Sequence, residues 1–160
     1  MEQAFMLAGF FAAHAIWSVC EGEDLIPLLG SLTPDGKRHL QRFTADELTE
    51  AVAQGKSAFQ TSSESPAVFI FDTRITLPDG KTDALILDIR ANGSAPLSAR
   101  MAIPYRNASE PAGFAVFRPK FLALSEPQLP LEPVVQAFFN GVGQHEQGSK
   151  IWNEKIDQSR

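Results

Sequence analysis

The sequence predicts a single α+β domain, an antiparallel β-meander of about four to six strands with a long apolar N-terminal helix and a C-terminal helix packed on one face. Three observations carry this expectation. Residues 4–20 form an apolar run interrupted only by Gly9, His14 and Ser18. The tetrapeptide Pro-Asp-Gly-Lys occurs at 34–37 and again at 78–81, each time between segments that can be strands. After these segments, residues 131–140 resume a helical pattern that ends at Gly141.

The N-terminal run, with Phe5, Phe10, Phe11, Ile16 and Trp17, has no solvent face, so its own domain, a second subunit or lipid must wrap it. Ala8, Ala12 and Ala15 form a small stripe that admits a close neighbour, while Met6, Phe10 and Trp17 fill space on another side. That surplus apolar area points to a homodimer through the N-terminal helix. In each Pro-Asp-Gly-Lys copy the proline presets φ, and the glycine takes the left-handed position that closes a three-residue hairpin loop. Between the hairpins, Thr44 and Glu47 make a capping-box pattern for a helix that carries Leu48, Ala51 and Val52 and stops at Gly55.

The second hairpin sets the core. Pairing Leu77 with Lys81 gathers Phe69, Phe71, Ile75, Leu85, Leu87 and Ile89 on one face, and Val68, Ile70, Asp72, Arg74, Ile86, Asp88 and Arg90 on a mixed face. Two more strands, at 99–105 and 114–122, extend the meander. A proline-rich strap at 125–133 leads into the C-terminal helix. The single domain therefore covers 1–143, and 144–160 is a tail with Ile151, Trp152 and Ile156 as the anchors of a short docking helix.

A chain of 160 residues, 44% of them hydrophobic, can build a core without cofactor, metal or disulfide. Its one cysteine, Cys20, fits a reducing compartment, which makes the cytoplasm the expected location. Glu2 stands where a signal peptide carries basic residues, and the apolar run leads into Glu21, Glu23 and Asp24. The run is also shorter than the roughly 20 residues of a membrane span, and it contains His14. A net charge of −5 argues against a nucleic-acid partner. The charge is uneven, however: residues 67–124 hold seven basic and five acidic side chains.

No nucleophile elbow, dinucleotide-binding glycine triad or Cys-x-x-Cys pair occurs. Gly55-Lys56-Ser57 resembles the end of a phosphate-binding loop, but Glu50 holds the position of its first glycine and a helix precedes it where a strand is required. The expected function is therefore non-enzymatic: a soluble binding or adaptor module of bacterial type. Its site is the mixed sheet face. If Arg100, Arg106 and Arg118 project beside Arg74 and Arg90, five guanidinium groups face only Asp72 and Asp88, which suits an acidic protein or a small anion. The alternative is a small hydrolase-like enzyme with His14 as base, Glu21 orienting it and Asp72 or Asp88 nearby. His39 and His145 complete no metal-ligand spacing, and the acidic residues after Cys20 oppose a reactive thiolate.

Overall fold

The computed structural model describes residues 1–160 as a single α+β domain. Helix α1 (Glu2–Val19) is followed by β1 (Leu28–Leu32), β2 (Arg38–Arg42), α2 (Leu48–Thr61), β3 (Ala67–Leu77), β4 (Gly80–Ala91), β5 (Leu97–Arg106), β6 (Ala115–Val116), β7 (Lys120–Leu124), α3 (Leu131–Gly143) and α4 (Glu146–Lys155). The sheet is antiparallel and seven-stranded, in the order β2-β1-β3-β4-β5-β6, and β7 pairs with the other half of β5. It has one strand more than the upper expectation because the segment foreseen as one strand at 114–122 breaks at Phe117–Pro119 into β6 and β7.

The two Pro-Asp-Gly-Lys turns close differently. At the first, Thr33 N–H donates to the Lys37 carbonyl at 2.8 Å and Gly36 sits at φ +83°, the expected three-residue loop. At the second, Leu77 pairs with Gly80, so only Pro78 and Asp79 lie in the loop. This shifts the expected Leu77–Lys81 register by one residue and turns β4 over relative to β3. Directly paired residues share a face, so Val68 and Ile70 now stand with Leu85, Leu87 and Ile89, while Phe69 and Phe71 stand with Ile86 and Asp88. The physical reason is that β3 has a helix on each of its faces. Helix α1 lies on the first, and α2 packs on the second against β3 and β1. A sheet buried from both sides is better served by dividing its apolar residues than by collecting them on one face.

Four glycines set the distances between elements. A Cβ on Gly9 of α1 would lie 1.8 Å from the Phe138 carbonyl oxygen of α3, and one on Gly141 of α3 would lie 1.9 Å from the Met6 carbonyl oxygen. A Cβ on Gly148 of α4 would lie 2.2 Å from the Ala13 carbonyl oxygen, and one on Gly55 of α2 would meet the Phe69 ring at 2.2 Å. Gly55 and Gly141, expected as helix stops, are thus packing contacts, and both helices run on, to Thr61 and Gly143. Nor does Thr44 cap α2: the N-cap is Glu47, without a side-chain cap bond.

The sheet, α3 and α4 of the same chain cover α1, leaving exposed or part-exposed the stripe Gln3, Met6, Phe10, His14 and Trp17, together with Glu2 and Ser18. The small stripe Ala8, Ala12 and Ala15 is covered from within, whereas Met6 and Phe10 stay part-exposed and Trp17 is exposed. No helix is long and apolar enough to cross a membrane. The tail is a helix, α4, docked on α1 with Trp152 buried, and Asp157 N–H donates to the Val116 carbonyl at 2.8 Å beyond it.

Substituting Gly9 or Gly141 by alanine should cost about 2–4 kcal/mol, because the opposing atoms are backbone and cannot step aside. Gly143→Ala, with nothing within 4 Å of its Cβ position, should be neutral or stabilising by up to about 1 kcal/mol. Urea denaturation of the three variants tests this, and equal stabilities would contradict the close approach of α1 and α3.

Candidate functional site

The register decides where the expected arginines stand. Arg74 pairs with Asp83 on the face that carries α1, whereas Arg90, Arg100 and Arg106 occupy the face that carries α2. Arg118 lies between β6 and β7, where its Nε donates to the Arg160 carbonyl at 2.9 Å. A continuous surface of five guanidinium groups therefore does not form. The expected acids separate as well: Asp72 is on the α1 face and Asp88 on the α2 face.

Each guanidinium also has a partner within the chain. Arg100 grips Asp88 in a bidentate pair at 2.6 and 2.9 Å, and this hydrogen bonding raises the Arg100 pKa. Arg90 donates to the carbonyls of Phe59, Ser62 and Glu64, fastening the C-terminal end of α2 to β4, and its Cζ lies 4.4 Å from the centre of the Phe59 ring. Arg106 donates to the carbonyls of Gly113 at 2.7 Å and Ala112 at 3.3 Å, and Arg74 lies 3.9 Å from Asp83. What survives of the arginine surface is a groove of about 570 Å³ between α2 and β7, where Arg90 and Arg100 meet Lys56, Gln60, Asp88 and Ser125.

Asp72 has a separate role. It accepts from the Tyr105 hydroxyl at 2.6 Å, and burial, with the charges of Asp83 and Asp24 adding to it, pushes its pKa up to about 6.

His14 lies on the free stripe of α1 and makes no hydrogen bond to Glu21, its expected orienting acid. Its neighbours come from elements distant in sequence. His145, the N-cap of α4, accepts the Gly148 N–H on Nδ1 at 2.9 Å. The ring proton of His145 must therefore sit on Nε2, from which it reaches His14 Nδ1 at 3.2 Å. Arg42 on β2, which can only donate, has Nη2 3.2 Å from His14 Nε2, so these three contacts hold four N–H groups and two lone pairs; with the internal bonds kept, the surplus donor falls at the exposed Arg42 and the His14 proton sits on Nε2. A second proton on His14 would set N–H against N–H. Burial, then the adjoining His145 and Arg42, push its pKa down to about 4. Burial lowers that of His145 too. With Nδ1 occupied and Nε2 protonated, His14 is a hydrogen-bond donor at neutral pH, and it has no free lone pair with which to act as a base.

Sequence reasoning set His145 aside, as completing no metal-ligand spacing, and missed Arg42. The sole local signal was the N-cap position of His145 ahead of Glu146, and a pairing across 131 residues leaves no spacing pattern to read. No group of three or more His, Cys, Asp or Glu residues is placed to hold a metal ion. Compared with known proteins, the chain matches no family model, no curated protein and no solved structure.

Two pH effects follow, with opposite signs. Folded His14 titrates near 4 and an unfolded histidine near 6.5, so the unfolded chain binds more protons between those values and stability falls as pH drops from 6.5 to 4. His14→Phe should flatten that part of a Tm against pH curve, and an unchanged slope would contradict the assignment. Asp72, raised from 3.8 to about 6, contributes stability that is present in acid and lost as pH rises through 6. Asp72→Asn, which still accepts from Tyr105, should therefore stabilise by about 1–3 kcal/mol at pH 8 and by little at pH 4. Equal effects at both pH values would count against a raised carboxyl.

Proposed function

We propose that this protein is a non-enzymatic binding module that takes an acidic segment of a partner protein into the groove between α2 and β7. One observation supports the reading most: three cations, Lys56, Arg90 and Arg100, meet a single carboxylate, Asp88, in a cavity of about 570 Å³. Arg90 is bonded to carbonyl oxygens and has no carboxylate partner, burial lowering its pKa, and Lys56 has a ring beneath it, its Nζ lying 4.7 Å from the centre of Phe71. A groove of net positive charge with low-dielectric walls concentrates the field on an approaching anion.

The shape suits a chain segment. Helix α2 packs against β3 and β1, so the half of this sheet face formed by β5 and β7 has no helix over it. Ser98 and Ser125 add hydroxyls along the opposite wall. Recognition of this kind gives speed and selectivity more than tight binding, and it weakens as salt screens the charges.

Fluorescence anisotropy of a labelled ten-residue oligoglutamate peptide tests the reading. Binding should be present at 50 mM salt, fall steeply by 300 mM, and weaken by about tenfold in Lys56→Glu, while Lys37→Glu in the exposed β1–β2 turn should have little effect. Absence of binding at low salt, or equal loss in both variants, would refute the groove as the site.

A further inference from the structure

A second cavity, on the α1 side of the sheet, has a different chemistry. It measures about 470 Å³ and is lined by His14, Trp17, Glu21, Asp24, Ile26 and Arg42 among others. The relay that begins at the Gly148 amide and passes through His145 ends in the N–H of His14 Nε2. Arg42 Nη2 stands 3.2 Å from that nitrogen, and a guanidinium has no lone pair to offer. Two donors therefore face one another with no acceptor between them. No carboxylate of the chain pairs with Arg42: the ion pairs engage Asp35, Glu64, Asp79, Asp83 and Asp88, all with other partners. An oxygen placed to take both N–H groups completes the array, and a carboxylate is the common group that does so.

The rest of the cavity narrows the ligand further. Glu21, Glu23 and Asp24 line it beyond the end of α1, so a simple anion satisfies Arg42 and His14 but is repelled by three carboxylates. A simple cation meets the acids and leaves the two donors facing each other. A molecule with a carboxylate at one place and an ammonium at another answers both requirements. Trp17 and Ile26, with relative exposures of 43% and 45%, supply an apolar wall for its body, and the volume lies in the ordinary range for small-molecule sites.

We propose that this cavity binds a free amino acid, with the α-carboxylate accepting from His14 Nε2 and Arg42 Nη2 and the α-ammonium held among Glu21, Glu23 and Asp24. His14 is here a binding residue, and His145 positions it by fixing which nitrogen carries the proton.

Calorimetric titration of the intact protein with each of the twenty standard amino acids tests this. At least one should bind, and its affinity should drop by about tenfold or more in Arg42→Ala and in His14→Phe, and also when its amino group is acetylated. Arg42 is exposed on the edge strand β2, so its variant keeps the test valid should His14→Phe fold poorly. Arg38→Ala, which removes a neighbouring charge on the same strand from outside the cavity, should bind as the native protein does. No binding by any amino acid at millimolar concentration would overturn the proposal. So would affinity that survives Arg42→Ala, falls equally in Arg38→Ala, or is indifferent to acetylation.

Discussion

The close approach of α1 to α3 is the constraint on which the rest of this structure depends. Gly9 and Gly141 each sit where a methyl group would collide with a carbonyl oxygen of the other helix, at 1.8 and 1.9 Å. Gly148 repeats the arrangement between α4 and α1. Three helices can share one buried cluster with a single sheet face because these contacts admit backbone against backbone. Phe11 completes the seat from the sheet side, its ring lying where a Cβ on Gly30 of β1 would have to be.

Seated in this way, α1 can show only one stripe to solvent, and that stripe is where the chain's polar chemistry gathers. The β2 strand lays Arg38 over the Phe10 ring at 3.7 Å and brings Arg42 to His14. The junction of α3 and α4 contributes Gln144, which accepts from Arg38 at 2.7 Å, and His145. The glycine contact between α4 and α1 thus sets the distance from His145 to His14. Packing and site are one geometry, and it turns an expected base into a hydrogen-bond donor.

Much of the fold was legible because it rests on local signals. Apolar runs, turn tetrapeptides and alternation marked α1, both hairpins, α2 and α3. Two kinds of information were not local. Glycines at 55 and 141 read as stops, since sequence alone cannot tell a helix-ending glycine from one that makes room for a neighbour. The register of β3 with β4 depended on whether one sheet face or both would be covered, and that is decided by where α1 and α2 dock. The same one-residue shift separated Arg74 from Arg90 and Asp72 from Asp88. The pocket beside α1 was half legible: His14 drew notice by interrupting an apolar helix, whereas Arg42 and His145 reach it through tertiary structure alone.

The helix packing fixes the proton positions of the two histidines and so makes His14 a hydrogen-bond donor on the exposed stripe of α1. Long-range proton–nitrogen NMR correlation of the imidazole rings tests it directly, because the nitrogen shifts distinguish a protonated from an unprotonated ring nitrogen. At pH 7 the expected result is that His14 and His145 are both neutral, with the proton on Nε2 in each. A proton on Nδ1 of either ring, or an imidazolium at His14, would contradict it.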